Sequence, residues 1–424
     1  MPTSVSRRQV VSTLFRDPMQ ALVDAANRAD GQVVRLNLGT FRPYLVTDPE
    51  HLQHVLRDNA ANYVRDGKGL LWRPVRRAVG EAILVTEGPQ WESSRGVLQP
   101  LFTKPRLDTM VAELERAIGA AVDPLDADAA AGRPVRVDEM LTRIVCGATM
   151  RVLFADRISV PDAMRIVDAL GTVATTMVSR FAVPFMPDRV PMPGDRAFDA
   201  AVRTIDAIVY PVIHDALREP GDGQDIVSAL CRQRDVPLRR IRDDVVAMFS
   251  TATETTIAVL SWLWPVLARR PDVEERLTAE SGATGAYTRC VIDELLRLWP
   301  AGWMIPRTAV AEEVLDGTRI RAGGTVLVSP YATQRLDALW ERADEFDPDR
   351  WAAKRRHHRF AFFPFGGGPH QCLGQHLFLL EAPLIIATLL RRFRFRVEGP
   401  ADLTPRLGAS LRPKVPARVV LTPR

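Results

Sequence analysis

The chain has 424 residues, of which 46% are hydrophobic, 25% charged and 7% aromatic. This composition excludes a disordered chain, a collagen-like repeat and a mini-protein, and the length fits one large domain or two smaller ones. The net charge of +5 is too small for a chain of this size to indicate nucleic-acid binding.

The four cysteines lie at least 59 residues apart, which excludes the paired spacing of a zinc finger and argues against a disulfide scaffold. Three of them, Cys146, Cys231 and Cys290, fall within helical patterns and are predicted to be small core residues. The first 20 residues lack the continuous apolar core of a secretory signal. We therefore expect a cytoplasmic protein without a membrane anchor.

Amphipathic periodicity predicts a mostly helical chain. In chain order, the predicted helices cover residues 18–28, 49–57, 108–122, 137–155, 195–218, 271–281, 286–299 and 373–392. Short strands are predicted at Val33–Leu38, Tyr44–Thr47, Thr325–Ser329 and Arg418–Thr422. Because no repeat or low-complexity linker marks a boundary, we predict one mainly α domain with small β-sheets over residues 1–424.

Residues 247–268 form an apolar run with a single charge, Glu254, and are long enough to span a membrane. Hydroxyl residues cluster between Ser250 and Thr256, and polar groups in the middle of a lone span are costly. The run is therefore predicted to be a long buried helix of a soluble core.

The segment 363–380 carries the most informative pattern in the chain, in which three glycines and a proline precede a cysteine and an apolar helix. Gly366, Gly367 and Gly368 allow the backbone to turn tightly and to approach a flat group closely. A thiolate at Cys372, near a helix N-terminus, would be stabilised by the helix dipole. Such a thiolate is suited to be a metal ligand or a nucleophile.

The spacing in this segment favours the role of metal ligand. Five residues match F-x-x-G-x-[HR]-x-C-x-G, which resembles the heme-binding signature of the cytochrome P450 family: Phe365, Gly368, His370, Cys372 and Gly374. The resemblance implies the cytochrome P450 fold with a long central helix over the heme. It also implies heme b, with the Cys372 thiolate as the proximal iron ligand and Gly366 among the heme contacts.

Two further motifs follow in the order expected for this family. Glu294 and Arg297 lie one helical turn apart and can form an ion pair. By the resemblance, Arg350 completes a buried network with them that supports the cysteine loop. Such a network would be structural, not catalytic.

Trp91 and Arg95 lie four residues apart, so one helix face presents an indole and a guanidinium together. A guanidinium pairs well with a carboxylate, and heme carries two propionates. The resemblance makes Trp91, Arg95, Arg307 and His370 partners of the heme.

Residues 251–256, TATETT, resemble the family motif [AG]-G-x-[DE]-T-[TS]. Glu254 and Thr255 would then be the acid–alcohol pair that delivers protons to dioxygen. The alternative is that these hydroxyls only bond carbonyl groups of the preceding turn. Thr251 and Ala252 depart from the motif, and Thr251 could bond oxygen, water or substrate, or bend the helix.

By the resemblance, the substrate pocket is lined by mostly apolar residues from several segments: Leu70, Leu71, Trp72, Met177, Phe181, Phe185, Met186, Ala247, Thr251, Trp303, Met304, Ile305 and Leu411. No charged anchor for a carboxylate or an amine is evident among them. The pattern favours a lipophilic substrate held by shape. The alternative is that the apolar residues belong to the core.

Basic runs at residues 354–359 and 391–396 flank the cysteine loop in sequence. A positive face there would suit an acidic iron–sulfur protein, whereas solvated surface arginines are the alternative. The resemblance implies NAD(P)H-derived electrons from a separate ferredoxin reductase and ferredoxin. We expect a monomer with no nucleic-acid partner.

The sequence thus predicts a heme-thiolate monooxygenase of the soluble bacterial type that inserts one oxygen atom from O2 into a lipophilic small molecule, chiefly by C–H hydroxylation. A terpenoid biosynthetic intermediate is favoured as substrate because no polar anchor is visible. A polyketide or another secondary metabolite is the alternative, and desaturation, epoxidation and oxidative coupling stay open. The rivals from other classes are a heme sensor or carrier and a thiol enzyme that uses Cys372 as its nucleophile.

Overall fold

The computed structural model describes residues 17–38, 41–65, 71–177, 190–219, 221–233, 235–280, 285–352 and 357–424. Within these residues the helices are α1 (Pro18–Ala29), α2 (Pro49–Gln53), α3 (Arg73–Val79), α4 (Gly88–Leu98), α5 (Lys104–Asp108), α6 (Val111–Val122), α7 (Leu125–Ala130), α8 (Val137–Phe154), α9 (Val160–Thr176), α10 (Asp195–Arg218), α11 (Ile226–Cys231), α12 (Leu238–Leu260), α13 (Leu263–Arg269), α14 (Pro271–Ala279), α15 (Ala286–Leu298), α16 (Pro330–Thr333) and α17 (Gln375–Arg392). A π-helical turn, His54–Asp58, follows α2.

Within the described part of the chain the strands are short and form four small sheets. They are β1 (Val34–Arg35), β2 (Tyr44–Val46), β3 (Tyr63–Val64), β4 (Pro134–Arg136), β5 (Ile305–Ala309), β6 (Glu313–Leu315), β7 (Thr318–Ile320), β8 (Thr325–Val328), β9 (Phe393–Glu398), β10 (Pro405–Arg406), β11 (Arg412–Pro413) and β12 (Arg418–Pro423). The sheets have the orders β1-β2-β8-β5-β3, β4-β12-β9, β6-β7 and β10-β11. The prediction of a mainly α fold with small sheets is confirmed.

The chain divides into two compact units, each built from three segments. Unit 1 comprises residues 1–66, 289–372 and 404–412. It contains the five-stranded sheet, in which β2 and β8 run parallel with Tyr44 opposite Val326, and β5 runs antiparallel to β8 with Ile305 opposite Val328. Apolar side chains of this sheet and of the turn at residues 52–56 form the core of unit 1.

Unit 2 comprises residues 67–288, 373–403 and 413–424. Helix α12 packs against α8, α9 and α10, and α17 packs against α6 and α12. The sheet β4-β12-β9 also belongs to this unit. Its central strand, β12, was predicted from the sequence, whereas β9 was read only as a basic run.

The predicted central helix is found in unit 2, where it begins at Leu238, nine residues before the predicted start at Ala247, and is broken near its end. The apolar run continues as two helices, because α12 ends at Leu260 and α13 begins at Leu263. Pro265 explains the break, since it has no N–H to donate to the carbonyl of Ser261 and would clash with it in a continuous helix. Leu238–Arg269 is apolar enough to cross a membrane, yet 72% of its most apolar window is buried inside the protein, as in a core helix.

Candidate functional site

The cysteine loop, residues 363–372, forms a tight turn at the end of the second segment of unit 1. The N–H of Cys372 donates to the carbonyl oxygen of Phe365 at 2.9 Å, which closes the loop on itself. Cys372 is exposed, whereas Cys146 and Cys231 are buried. The helix begins at Gln375, with Gly374 as its N-cap, and therefore starts later than the predicted residue 373.

The glycines of this loop are required by its conformation. Gly366 and Gly368 have φ values of +69° and +67°, in the region that favours glycine. A Cβ at Gly367 would overlap the ring of Phe360, and one at Gly368 would overlap the carbonyl oxygen of Leu56. The loop is therefore pressed against the π-helical turn at residues 54–58, and Gly366 lies against the side chain of Ile305.

The structure brings the three residues of the predicted ion-pair network together in unit 1. Glu294 and Arg297 are both fully buried and form a two-pronged pair, with both nitrogen–oxygen distances at 2.9 Å. Arg350 Nε donates to Glu294 Oε1, also at 2.9 Å. Each carboxylate oxygen thus has at least two donors, which offsets the cost of burying the charge.

Sequence reasoning missed further members of this network. Trp351 Nε1 donates to Glu294 Oε2 at 2.9 Å. Arg297 donates to the backbone carbonyls of Gln334 and Ala343, at 2.8 and 2.7 Å. Gln334 in turn accepts the N–H of Phe363 at 3.0 Å, which connects the network to the start of the cysteine loop. Fixed sequence spacing gives no signal for contacts between residues so far apart in the chain.

The predicted heme partners are divided between the two units. Trp91 and Arg95 lie on α4 of unit 2, both partly exposed, and Arg95 Nε donates to Gln99 Oε1 at 2.9 Å. Arg307 on β5 and His370 before Cys372 belong to unit 1, where Arg307 is buried.

A strip of α12 differs from the rest of that helix. Thr251, Ala252, Glu254 and Thr255 are partly exposed, whereas residues 241–249 and 256–260 are buried. Thr255 Oγ1 donates to the carbonyl oxygen of Thr251 at 2.8 Å, and Thr251 Oγ1 donates to that of Ala247 at 2.8 Å. The back-bonding alternative is therefore observed for both hydroxyls, and each keeps lone pairs that can accept a hydrogen bond.

The predicted pocket residues are only partly described. Leu70, Phe181, Phe185 and Met186 lie outside the described residues. In unit 2, Leu71 and Trp72 are partly exposed, and Met177 and Ala247 are buried. In unit 1, Trp303, Met304 and Ile305 are partly exposed. Leu411 is fully buried and packs with Met19, Val23 and Tyr331, so the core alternative describes it best.

The thiols of Cys146 and Cys231 are poorly suited to chemistry. Burial raises the pKa of Cys146 to about 12 and that of Cys231 to about 11. A thiol with so high a pKa is inert as a nucleophile and as a ligand at neutral pH. Cys290 is half-buried on α15.

The basic run at residues 391–396 offers less unpaired charge than its sequence suggests. Arg392 pairs with Asp123, at 2.6 Å, and with Asp126. Arg396 lies 3.4 Å from Glu398, while Arg391 and Arg394 are exposed. Of the other run, residues 354–356 lie outside the described residues.

The residues present fit the group that the resemblance implies. Unit 1 offers an exposed thiol on a loop that only glycine can form, together with a buried arginine. A thiolate is an iron ligand, and guanidinium groups suit propionates. Unit 2 offers the half-buried hydroxyls and the carboxylic acid of α12.

Comparisons with known proteins agree with this chemistry. The family model described as cytochrome P450 matches residues 8–421. Two proteins of Streptomyces melanosporofaciens, cyclooctat-9-en-7-ol 5-monooxygenase and cyclooctatin synthase, are each 30% identical to this chain. The alignments cover 93% and 97% of this chain and 89% and 92% of those proteins. Pentalenene oxygenase of Streptomyces avermitilis is 27% identical, over 89% of this chain and 87% of that protein.

Solved structures show the same fold. The heme domain of cytochrome P450DA has a TM-score of 0.84 at 22% identity, over 100% of this chain and 96% of that one. CYP175A1 of Thermus thermophilus has a TM-score of 0.79 at 23% identity, over the full length of both chains.

Proposed function

The chain belongs to the cytochrome P450 family and is a monooxygenase of that family, and we propose that its reaction is the hydroxylation of a terpenoid. The names of its relatives carry this proposal, since the proteins at 27–30% identity act, by those names, on cyclooctat-9-en-7-ol and pentalenene or make cyclooctatin. The predicted pocket residues support it, because they are mostly apolar and include no charged anchor.

The family implies heme held by a cysteine thiolate, and we assign that thiolate to Cys372 and the heme type to heme b. When bound, heme supplies the oxidising chemistry that places one oxygen atom of O2 in the substrate. Arg95, Arg307 and His370 would pair with its propionates, and Trp91 would also contact the heme. The Glu294 network would hold the cysteine loop in place through Gln334.

The chain's own contribution to the chemistry is proton delivery and positioning. Thr255 donates its hydroxyl proton to Thr251 O in this structure. To relay a proton, the hydroxyl would turn from that carbonyl, accept a proton at Oγ1 and donate its own. Glu254, the preceding residue on the half-buried strip of α12, is the acid that supplies a proton to this hydroxyl. Buried residues precede and follow the strip along α12, at 241–249 and 256–260.

Electrons would come from NAD(P)H through a separate reductase and ferredoxin. We place the enzyme in the cytoplasm as a monomer. An acidic ferredoxin would use the exposed arginines beside the cysteine helix, of which Arg391 and Arg394 stay exposed in this structure.

The substrate proposal is tested with the heme-loaded enzyme and a panel of terpenes, steroids, macrolides and linear hydrocarbons. We expect cyclic terpenes to give the largest low- to high-spin shift and, with NADPH and surrogate redox partners, a product that carries one oxygen atom from labelled O2. A panel in which macrolides or linear hydrocarbons bind and turn over instead would overturn the terpenoid assignment.

The ligand assignment is tested with matched cysteine variants. Cys372→Ser should lose the strongly red-shifted Soret band of the reduced carbonyl complex, because an alcohol cannot replace the thiolate. Cys290→Ser, at the half-buried cysteine of α15, should keep it. A Cys372→Ser protein with the same band and normal turnover would exclude the assignment and the monooxygenase mechanism built on it.

A further inference from the structure

The carboxylate of Glu313, at the start of β6 in unit 1, binds side chains that the function proposed above does not use. His54 Nε2 lies 2.9 Å from Glu313 Oε1, and the side-chain amides of Asn59 and Asn62 donate to Oε2 at 2.7 and 3.0 Å. Partial burial would raise the pKa of Glu313, but hydrogen bonds from its neighbours outweigh burial and lower the pKa below its ordinary value. The acid is therefore ionised at neutral pH, and hydrogen bonds to an ionised acceptor are the strong ones.

Two of these side chains belong to the residues that close the π-helical turn at residues 54–58. The N–H of Asn59 donates to the carbonyl oxygen of His54 at 2.8 Å, which is the i,i+5 bond of a π turn. The side chains of the same two residues bind opposite oxygens of Glu313. Turns of this kind are rare and occur frequently at functional sites. Glu313 thus holds the turn at both of its ends.

The middle of the same turn lies against the cysteine loop. A Cβ at Gly368 would overlap the carbonyl group of Leu56, so the two backbones are in direct contact. The N–H of Gln371 donates to Gly368 O at 3.1 Å. The next residue, Cys372, closes the loop through its bond to Phe365 O at 2.9 Å. The position of the Leu56 carbonyl therefore limits where Gly368, and with it the backbone before Cys372, can lie.

We propose that Glu313 is a positioning residue for the iron ligand Cys372, because it holds the π turn against which the cysteine loop rests. This inference rests on the proposed assignment of the heme thiolate to Cys372. A π turn contains more residues than an α-helical turn, so without Glu313 the segment can return to α-helical pairing. That change moves the Leu56 carbonyl away from Gly368. The loop then loses its support, and the thiolate leaves the iron more readily.

The test follows the strongly red-shifted Soret band of the reduced carbonyl complex of the holoenzyme over time. Glu313→Ala should lose this band faster than the wild type by about tenfold or more, since a hydrogen bond to a charged group contributes at least about that factor. Glu312→Ala is the matched control, because it removes the neighbouring carboxylate, which forms an exposed pair with Arg319 at 2.8 Å. Equal rates of loss in the two variants overturn the inference.

Two amide variants separate the contact with Glu313 from the general stability of the turn. Asn59→Ala removes a donor to Glu313 Oε2, whereas Gln53→Ala removes an exposed amide that bonds Asp58 Oδ2 at 3.0 Å beside the same turn. We expect Asn59→Ala to speed the loss of the Soret band and Gln53→Ala to match the wild type. Equal rates for these two variants would contradict the proposal. Because both keep the carboxylate, they test it even if Glu313→Ala does not fold.

Amide hydrogen exchange of the heme-loaded protein distinguishes this inference from the ligand assignment. Peptides that cover residues 54–59 and 363–374 should exchange faster in Glu313→Ala than in the wild type, because local opening costs less once the turn is released. Glu312→Ala should leave both peptides unchanged. Unchanged exchange of residues 363–374 in Glu313→Ala sinks the inference, whereas a wild type without the red-shifted Soret band sinks the assignment of the thiolate to Cys372.

Discussion

Gly368 shows how much of the cysteine loop depends on a single residue. Its φ of +67° costs a non-glycine residue about 1–3 kcal/mol, and a Cβ would also overlap the backbone of Leu56. We therefore expect Gly368→Ala to lower the melting temperature and to reduce the heme bound per chain. Gly302→Ala is the matched control, because a Cβ there meets nothing within 4 Å. Equal heme content and stability in the two variants would show that the loop adapts.

Single residues were predictable where a motif fixes their spacing. The residues within each of two motifs, the glycines of the loop and the pair Glu294–Arg297, lie a few positions apart. Their relation can therefore be inferred directly from the sequence. Trp351 was missed, because its contact with Glu294 joins segments far apart in the chain and no local pattern marks it.

Helix α12 also holds the connection between α3 and α4. Asp243 accepts the N–H of Glu81 at 2.9 Å, and Asp244 accepts the N–H of Ile83 and the hydroxyl of Ser94, both at 2.6 Å. Both aspartates are buried, and burial raises the pKa of each. Gly80 allows this approach, because a Cβ there would overlap Asp243.

We expect Asp244→Ala to destabilise the protein by roughly 2–4 kcal/mol, since it leaves the Ile83 N–H and the Ser94 hydroxyl buried without an acceptor. The loosened connection follows the predicted pocket residues Leu71 and Trp72, so substrate should also bind more weakly. Urea unfolding and the spin-shift titration measure the two effects. Asp108→Ala, which removes an exposed pair with Lys104, should cost no more than about 1 kcal/mol. A similar loss of stability in both variants would argue against a role of Asp244 in holding the connection between α3 and α4.

Elements were predictable where periodicity is strong. Helices α8, α10, α14, α15 and α17 agree with the predicted runs to within a few residues, whereas α12 begins nine residues before the predicted run and α9, α11 and α16 were not predicted. Strand β9 was missed although Phe393, Phe395 and Val397 alternate with charged residues, as in a half-buried strand. The sequence analysis interprets this segment by its positive charge and not by its period of two residues. Strands β5 to β7 had no clear alternation, and pairing across the sheet decides their structure.

At the scale of the whole molecule, the prediction of a single domain implies that the two units unfold together, in one cooperative transition. The chain forms the two units from six alternating segments, so neither unit is a continuous piece of sequence. Two of the boundaries fall inside elements, between Thr288 and Arg289 in α15 and between Arg412 and Pro413 in β11. A helix that forms cooperatively cannot unfold in one half without cost to the other.

We therefore expect the heme-loaded protein to unfold in one transition by calorimetry, with equal calorimetric and van't Hoff enthalpies. Near-ultraviolet circular dichroism, which reports the tryptophans of both units, should give the same midpoint as the Soret absorbance, which reports the heme. Cys372→Ser provides the comparison, because the order of the six segments along the chain stays the same while the proposed iron ligand is lost. A single transition that persists in this variant assigns the cooperativity to the interleaved chain, and one that splits assigns it to heme. Two transitions in the wild type would refute the single domain.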